Sequence, residues 1–290
     1  MIIKQSPEDF IVREYWPPDF GEGQYSVYLL IKRGWNTEDC LQWLSTKLRR
    51  PRKYFGYCGS KDKNALTEQY ITIKHGPNSI STPEGLSLAY LGRRAESLHL
   101  GEHKRNSFMI TVREYNGEKP ALKPVKNYFG EQRFGSNNTE IGFALLTRNY
   151  SKAAELLKLE FTTDPIAALR RIPRHTLMLY VHSAQSKLWN ELTETLPSEQ
   201  VAVPLPGFAP EGTPELLLAM DSLLEKHGLS RESFINRSFQ ELSLEGGSRP
   251  MLQDIKDFSA SVENGVCVLC FSLAKSQYAT ETVKQLVSAL

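Results

Sequence analysis

The order of β-type and helical patterns along the chain constrains its fold most strongly. GQYSVYLLIKRG at 23–34 alternates apolar and polar residues and is rich in β-forming residues, so it predicts a strand. NTEDCLQWLSTKLRR at 36–50 follows as a predicted helix. Asn36 or Thr37 can cap this helix, acidic residues occupy its first turn, and leucines mark its apolar stripe.

The rest of the chain mixes the two patterns without a regular βαβ alternation. β-type segments lie at 69–74, 87–94, 103–115 and 265–273, and helical patterns lie at 139–160, 183–195, 214–227 and 279–289. A stretch rich in Pro and Gly at 196–215 predicts loops or a small subdomain. This order predicts an α+β fold with a central mixed, largely antiparallel sheet flanked by helices.

Composition limits the classes of function. The chain has 290 residues, 40% apolar and 23% charged, which is typical of a globular protein with one large domain or two smaller ones. Its net charge is only +2, so a nucleic-acid partner would require a local basic face. No apolar run has the length of a membrane span, and MIIKQSPEDF has no signal-peptide core. We expect a cytoplasmic protein that does not bind a membrane.

The cysteines and histidines do not form a metal-binding pattern. Cys267 and Cys270 lie in an apolar β-type run, where residues three apart face opposite sides, so we expect buried free thiols. His99 and His103 lie in a strand–turn–strand pattern rather than on one helix face. Phosphate-loop, dinucleotide-binding and metalloprotease signatures are missing as well. We therefore expect no metal and no cofactor.

Several basic runs with interleaved aromatic residues suit the neutralisation of nucleic-acid phosphates. The stretches LGRRAES, HKRNSF and RRIPRH are three of them, and a basic run is also common on an ordinary solvated surface. The densest run, TKLRRPRKYFG, carries the positive charges of Lys47, Arg49, Arg50, Arg52 and Lys53.

Two further stretches suggest a site. KNYFGEQRFGSNN at 126–138 holds two Phe-Gly pairs with polar residues around them, which favours either a structural turn or the binding of a base by stacking and edge contacts. YFGYCGSKDKNALTEQYITI at 54–73 places Asp62 between two lysines, shortly after Gly59 and just before a β-type segment. On a solvated turn this pattern would have no functional meaning, whereas an acid fixed by a special backbone geometry would indicate chemistry.

Four segments of the chain match known motifs in one order. They are KQSPEDFIVREY at 4–15, YCGSKDKNALTEQYITI at 57–73, KNYFGEQRFG at 126–135 and FSLAKSQYATETVKQLV at 271–287, with a weaker match in SAQSKLWNELT. Over most of its length the chain therefore resembles the TruD family of tRNA pseudouridine synthases. The resemblance implies the pseudouridine synthase fold. We expect a catalytic domain at 1–150 and 250–290 and a reduced family-specific inserted domain at 151–249.

The resemblance implies that Asp62, the acid of the G-x-K-D motif, is the catalytic nucleophile. Isomerisation of uridine cleaves the N1–C1′ bond, turns the base and rejoins it through C5, and a single carboxylate can attack or stabilise C1′. The carboxylate must be ionised, so a cation should lie near it. Lys4 is our candidate, because Lys61 is adjacent in sequence and would point to the other face in an extended chain.

Other positions carry over from the family motifs one at a time. Phe10 matches a substrate-binding aromatic residue, Asn127 an amide that contacts the uridine, with Phe129 close by, and Tyr278 a position where the family uses Phe or Tyr. Core packing is the alternative for Phe10 and Phe129. A uridine in folded RNA must be flipped out and held by stacking and edge contacts, which these residues would supply.

The sequence departs from the family pattern at three places. Ala274 and Ser276 stand where the family often has Pro and Gly, so the loop before Tyr278 is expected to differ in shape. Arg105 replaces a frequent Gly. The stretch between the third and fourth motifs is short, which concerns the range of substrates rather than the chemistry.

These features imply an enzyme that acts as a monomer on tRNA, at uridine 13 of the D arm. The alternatives are an RNA-binding module of the same fold without turnover, and the same chemistry on other RNAs. Asp62, Asn127 and both Phe-Gly pairs are intact, which favours the enzyme over the module. The motifs do not distinguish between RNA targets.

Overall fold

The computed structural model describes residues 1–17, 19–197 and 201–287. By its internal contacts the chain divides into two compact units. The first unit comprises 1–123, 254–279 and the segment that begins at 283, and the second comprises 124–253 and 280–282. The domain boundaries that the family resemblance implies stay a prediction.

Strands and helices follow one another along both units without regular alternation. The strands are β1 Ile2–Ile3, β2 Phe10–Tyr15, β3 Tyr25–Arg33, β4 Phe55–Tyr57, β5 Leu66–Lys74, β6 Leu86–Arg94, β7 Arg105–Arg113, β8 Ala202–Leu205, β9 Gly247–Pro250, β10 Ile255–Glu263 and β11 Val266–Ala274. The helices are α1 Thr37–Leu48, α2 Asn138–Leu146, α3 Tyr150–Leu156, α4 Pro165–Leu169, α5 Arg174–Thr195, α6 Pro214–Lys226 and α7 Ala279–Val287. No helix in the described part of the chain is long and apolar enough to cross a membrane.

The first unit is built on one sheet with the strand order β10-β11-β7-β2-β5-β3-β6, with β1 beside β7 and β4 beside β5. Among these described strands, β2 and β5 pair in parallel and the other neighbours pair antiparallel. The mixed, largely antiparallel sheet with its flanking helices confirms the predicted α+β fold class. The parallel pair brings the PEDF segment next to the strand that follows Asp62.

β3 and α1 form close to the predicted ranges because local chemistry and packing agree. Tyr28 and Leu30 of β3 belong to the same buried cluster as Leu41 and Leu44 of α1. Asn36 caps the helix, since its side-chain oxygen accepts the Asp39 N–H at 2.8 Å. Such a cap stabilises a helix by about 1 kcal/mol.

A second buried cluster joins β2, β7, β11 and α7 and includes Phe10, Ile110, Phe271 and Val283. The β10–β11 hairpin closes on Asn264 and Gly265, whose φ angles are +50° and +76°. This two-residue turn needs left-handed backbone at both positions, which Asn and Gly tolerate best. The turn fixes the register between β10 and β11, and β11 pairs with β7.

Sequence patterns missed or misplaced some elements. β8 lies in the 196–215 stretch, where the Pro and Gly content predicts loops or a small subdomain, and β10 exposes most of its side chains and so lacks a clear hydrophobic alternation. α5 begins at Arg174, before the predicted 183. The pattern at 279–289 corresponds to α7, and its last two positions lie outside the described residues.

The second unit packs helices α2 to α6 with the antiparallel pair β8 and β9. Its core includes Leu145 of α2, Leu188 and Trp189 of α5, and Met220 of α6. α2 approaches α5 at Gly142, where an added Cβ would lie 2.1 Å from the Tyr180 carbonyl oxygen. Any larger residue at that position would push the two helices apart.

Candidate active site

Asp62 lies in the loop between β4 and β5, within the first unit. The Nζ of Lys4 donates a hydrogen bond to its Oδ2 at 2.7 Å, and the two side chains are 21% and 31% exposed. Lys4 follows β1 and has a φ of +62°, a left-handed conformation that is uncommon for a non-glycine residue. The ammonium stabilises the ionised carboxylate, which stays accessible to solvent.

The same ammonium lies 3.9 Å from the centroid of the Phe10 ring. Phe10 is the first residue of β2 and is 4% exposed, and its ring meets Phe108 edge-on at 6.1 Å between centroids. Lys4 therefore links the carboxylate to the edge of the core. A contact between Phe10 and a substrate stays a prediction.

The residues before Phe10 form a short turn that fixes the start of β2. Asp9 is buried and accepts hydrogen bonds from the Ser6 N–H at 3.0 Å and from the Arg113 guanidinium at 2.8–3.1 Å. The guanidinium of Arg113 holds the pKa of the Asp9 carboxyl below its usual value. Asp9 of the PEDF motif thus has a structural partner, Arg113, on β7.

A buried cation anchors the backbone of the Asp62 loop. The Nζ of Lys32, on β3, donates to the carbonyl oxygens of Trp35 at 2.7 Å, Lys61 at 3.0 Å and Asp62 at 2.7 Å. Lys32 has no exposed surface, and burial lowers the pKa of its ammonium to about 8. A lysine ammonium has three hydrogens, and each is directed at one of these carbonyls.

Side chains from three elements fix the same loop from other directions. The Nζ of Lys61 pairs with Glu14 of β2 at 2.6 Å, and both side chains are buried. The Lys61 N–H donates to Thr37, the Thr37 hydroxyl donates to Gln69, and the Gln69 amide donates to the Gly59 carbonyl. Lys61 therefore points away from Asp62 and into the protein.

In the second unit, Asn127 is 2% exposed and tied to Arg249. Its side-chain oxygen accepts from the Arg249 Nη2 at 2.8 Å, and its amide donates to the Pro250 carbonyl at 3.1 Å. The guanidinium carbon of Arg249 lies 4.1 Å from the centroid of the Phe129 ring. Arg249 thus joins the two motif residues through a hydrogen bond and a cation–π contact.

Phe129 is held by the QSKLWN segment of α5, which gave the weaker of the motif matches. The Asn190 side chain of α5 accepts from the Phe129 N–H at 2.9 Å and donates to the Phe129 carbonyl at 3.0 Å. Trp189, the residue before it, meets the Phe129 ring edge-on at 5.6 Å between centroids. The QSKLWN segment therefore fixes Phe129 of the Phe-Gly motif through its backbone and its ring.

Comparison with known proteins shows to which family the chain belongs. The family described as tRNA pseudouridine synthase D (TruD) matches residues 1–163 and 197–286. The chain belongs to the TruD family. The matched ranges contain Lys4, Phe10, Asp62 and the Phe-Gly motif.

Individual TruD proteins match along almost the whole chain. The probable tRNA pseudouridine synthase D of Methanopyrus kandleri is 26% identical over 94% of this chain and 88% of its own, and that of Nanoarchaeum equitans is 25% identical over 99% and 98%. The crystal structure of a TruD protein from Methanosarcina mazei has a TM-score of 0.76 at 25% identity, covering 99% of this chain and 93% of that one. The protein is a pseudouridine synthase, an RNA-modifying isomerase.

Departures from the TruD pattern have local structural explanations. Ser276 has a φ of +67°, a left-handed conformation that glycine adopts without steric cost. The backbone conformation that explains a glycine at this position in the family is therefore present here with a serine. Arg105 donates to the Asp254 carboxylate and carbonyl and to the Ser272 carbonyl, and so joins β7 to β10 and β11. Tyr278 is half-buried directly before α7.

Some residues from the sequence patterns have structural roles instead. Arg52 pairs with Glu38 through two hydrogen bonds of 2.7 and 2.8 Å, and Arg50 donates to the Lys74 carbonyl, so part of the densest basic run is used within the fold. Cys267 is buried and Cys270 half-buried on β11, both as free thiols.

The anchors of the Asp62 loop were not found from the sequence, although a signal existed. Lys32 follows Tyr28 and Leu30 at a spacing of two along β3, and Glu14 follows Phe10 and Val12 in the same way along β2. Such positions face the core, where an unpaired charge is costly. A charged residue on the apolar side of a predicted strand therefore indicates a buried partner.

Proposed function

We propose that the protein converts uridine to pseudouridine in tRNA, at uridine 13 of the D arm, with Asp62 as the nucleophile. The observation that carries this proposal is a partly exposed carboxylate whose Oδ2 lies 2.7 Å from the Nζ of Lys4, on a loop whose backbone carbonyls are bound by Lys32. Its setting in a TruD chain, with relatives named tRNA pseudouridine synthase D, supports the choice of substrate.

The proposed reaction balances without an external reagent. An oxygen of Asp62 forms a bond to C1′ of the ribose while N1 of the uracil leaves with the bonding electron pair. The detached base turns, its C5 displaces the carboxylate from C1′, and C5 loses its proton while N1 gains one. Lys4 stabilises the carboxylate before attack and after release.

The residues for which we propose substrate contacts are Phe10 and Tyr278 in the first unit and, in the second unit, Asn127 and Phe129. Aromatic rings supply stacking faces, which contribute about 1–3 kcal/mol per base. Asn127 uses one amide hydrogen on Pro250 and accepts one hydrogen bond from Arg249, so each of its polar groups can make one more bond. One donor and one acceptor are what a uracil edge requires.

The proposal is tested with Asp62→Asn, which keeps the shape of the side chain and removes its charge. Single-turnover kinetics on a tRNA transcript should show loss of pseudouridine formation, while filter binding of the RNA stays near the wild-type value because affinity rests on phosphate contacts. An Asn variant that turns over within about tenfold of the wild type, a difference of 1.4 kcal/mol, would remove Asp62 from the nucleophile role.

Mapping of pseudouridine in cellular RNA with and without the gene tests the substrate. Loss of the modification at uridine 13 of tRNA supports the proposal, and loss only in other RNAs assigns the same chemistry to a different target. Wild-type protein that binds RNA but makes no pseudouridine in any of them would favour the binding module. We further propose that the enzyme works as a cytoplasmic monomer without metal or cofactor, so turnover should persist in a chelator.

A further inference from the structure

The three hydrogen bonds of Lys32 tie the loop that carries the nucleophile to the turn between β3 and α1. One bond goes to the carbonyl of Trp35, at the turn between β3 and α1, and two go to the carbonyls of Lys61 and Asp62 themselves. Carbonyls of two consecutive residues that converge on one ammonium fix the dihedral angles between them. The direction of the Asp62 side chain follows from that backbone.

We propose that Lys32 is the positioning residue for Asp62, and that only its protonated form holds the carboxylate in the orientation that attacks the ribose. The inference rests on the proposed role of Asp62 as nucleophile. Lys32 does not touch the substrate in this scheme, because it lies behind the loop with no exposed surface. It acts through the backbone.

Protonation matters because of the number of hydrogens on the amine. A neutral amine has two hydrogens and a lone pair, so one of the three carbonyls would face a lone pair instead of a donor. A buried carbonyl that loses its hydrogen bond is destabilised, and this releases one end of the loop. Deprotonation of Lys32 should therefore loosen the loop and not unfold the protein.

The surroundings of Lys32 place this change in an accessible pH range. Burial lowers the pKa of its ammonium to about 8; the charge of Asp62 acts to raise it, and that of Lys61 lowers it. Cys40 of α1 is the other titratable neighbour. Burial raises the pKa of the Cys40 thiol to about 11, so that thiol is neutral where Lys32 titrates. The cross-strand neighbours of Lys32, Thr67 and Leu86, carry no charge.

Lys32→Met and Lys32→Arg separate positioning from general support of the fold. Met keeps an unbranched side chain, one atom shorter, without the charge, and Arg keeps a charge throughout the accessible pH range. Ser26→Ala is the matched control, because Ser26 also lies buried on β3 and donates to a carbonyl, that of Gly76, toward the other end of the strand. Melting curves and RNA filter binding establish that each variant is folded and binds.

The measurement is the single-turnover rate on a tRNA transcript labelled with tritium at C5 of uridine, between pH 6 and 10, with hydrogen exchange of residues 59–65. In the wild type we expect a one-proton alkaline limb near pH 8, with the rate falling about tenfold per pH unit above it. Lys32→Met should be at least about thirtyfold slower at pH 7, a factor that corresponds to ~2 kcal/mol. Its rate should not show the fall at alkaline pH. Its RNA affinity should be unchanged, and hydrogen exchange in the loop should be faster. Lys32→Arg should recover part of the rate and keep it at pH 9 and above.

Three results would overturn the inference. One is a folded Lys32→Met protein with a rate within about threefold of the wild type and of Ser26→Ala, a difference below 1 kcal/mol. Another is an alkaline limb that is the same in the wild type and in Lys32→Arg, because the limb then belongs to the uracil or another group. This second comparison decides the question even if Lys32→Met does not fold. A wild type without turnover on any RNA would overturn the proposed function and this inference together, whereas an active Lys32→Met overturns the inference alone.

Discussion

Replacing Lys4 by Met tests the cation at the nucleophile directly. The change removes the 2.7 Å hydrogen bond to Asp62 and the contact with the Phe10 ring, and it leaves the side chain about the same length. A hydrogen bond to a charged group contributes about 1.5–3 kcal/mol, and the low exposure of both side chains, 21% and 31%, argues against the smaller values of a surface pair. We therefore expect turnover to fall about 10- to 150-fold.

The assay is single-turnover formation of pseudouridine, compared with the melting temperature of each variant. Arg13→Met is the control, because it removes an ion pair with Glu68 at 3.0 Å whose cation is exposed, and it should leave the rate within about twofold, as surface pairs contribute little. If Lys4 acts only through Asp62, a Lys4→Met, Asp62→Asn double variant should be no slower than Asp62→Asn. A folded Lys4→Met protein with the wild-type rate would refute the reasoning.

Three further predictions concern stability and the base. Asp9→Asn should lower the free energy of unfolding by about 1–3 kcal/mol at pH 7, measured in denaturant, by weakening the bonds to Arg113. The pKa of Asp9 is lowered in the fold, so its stabilisation is complete above the unfolded value near 4 and is lost as pH falls through the folded value; the variant and wild type should converge in acid, and a constant difference would contradict this. Asn264→Ala should cost about 1 kcal/mol, because Ala tolerates left-handed backbone poorly; unchanged denaturation would show that the turn has another conformation. Tyr278→Phe should keep most of the rate, and a folded Tyr278→Ala should lose most of it; equal rates would place Tyr278 outside the site.

Sequence patterns predicted the parts of the fold in which local chemistry and packing agree. β3 and α1 have a clear alternation, a cap at Asn36 and an apolar stripe, so their positions follow from the chain alone. β10 has three half-buried side chains and six exposed ones, and it is held in the sheet by backbone pairing with β11 and by the turn at Asn264. Hydrogen bonds of that kind leave no mark on side-chain composition.

The same limit applies to the site. Lys4 and Asp62 could be paired from two motifs, because the chemistry demands a cation beside an ionised acid. The anchors Lys32 and Glu14 act on residues that are distant along the chain, and only strand pairing brings them together. Contact of Asn127 with the base stays a prediction, and its bond to Arg249 comes from a strand more than a hundred positions later in the chain. Such partners are fixed by tertiary structure.

The order of strands in the first unit has a consequence for synthesis on the ribosome. β7 lies between β2 and β11, and β11 is made from residues 266–274, long after the other strands near Asp62. A nascent chain that has emerged through β7 therefore presents one open strand edge until that late segment follows, and open edges favour pairing with other chains. The second unit, at 124–253, is synthesised during this interval. The time taken to translate it is thus a period in which the outer edge of β7 stays open to pairing with other chains.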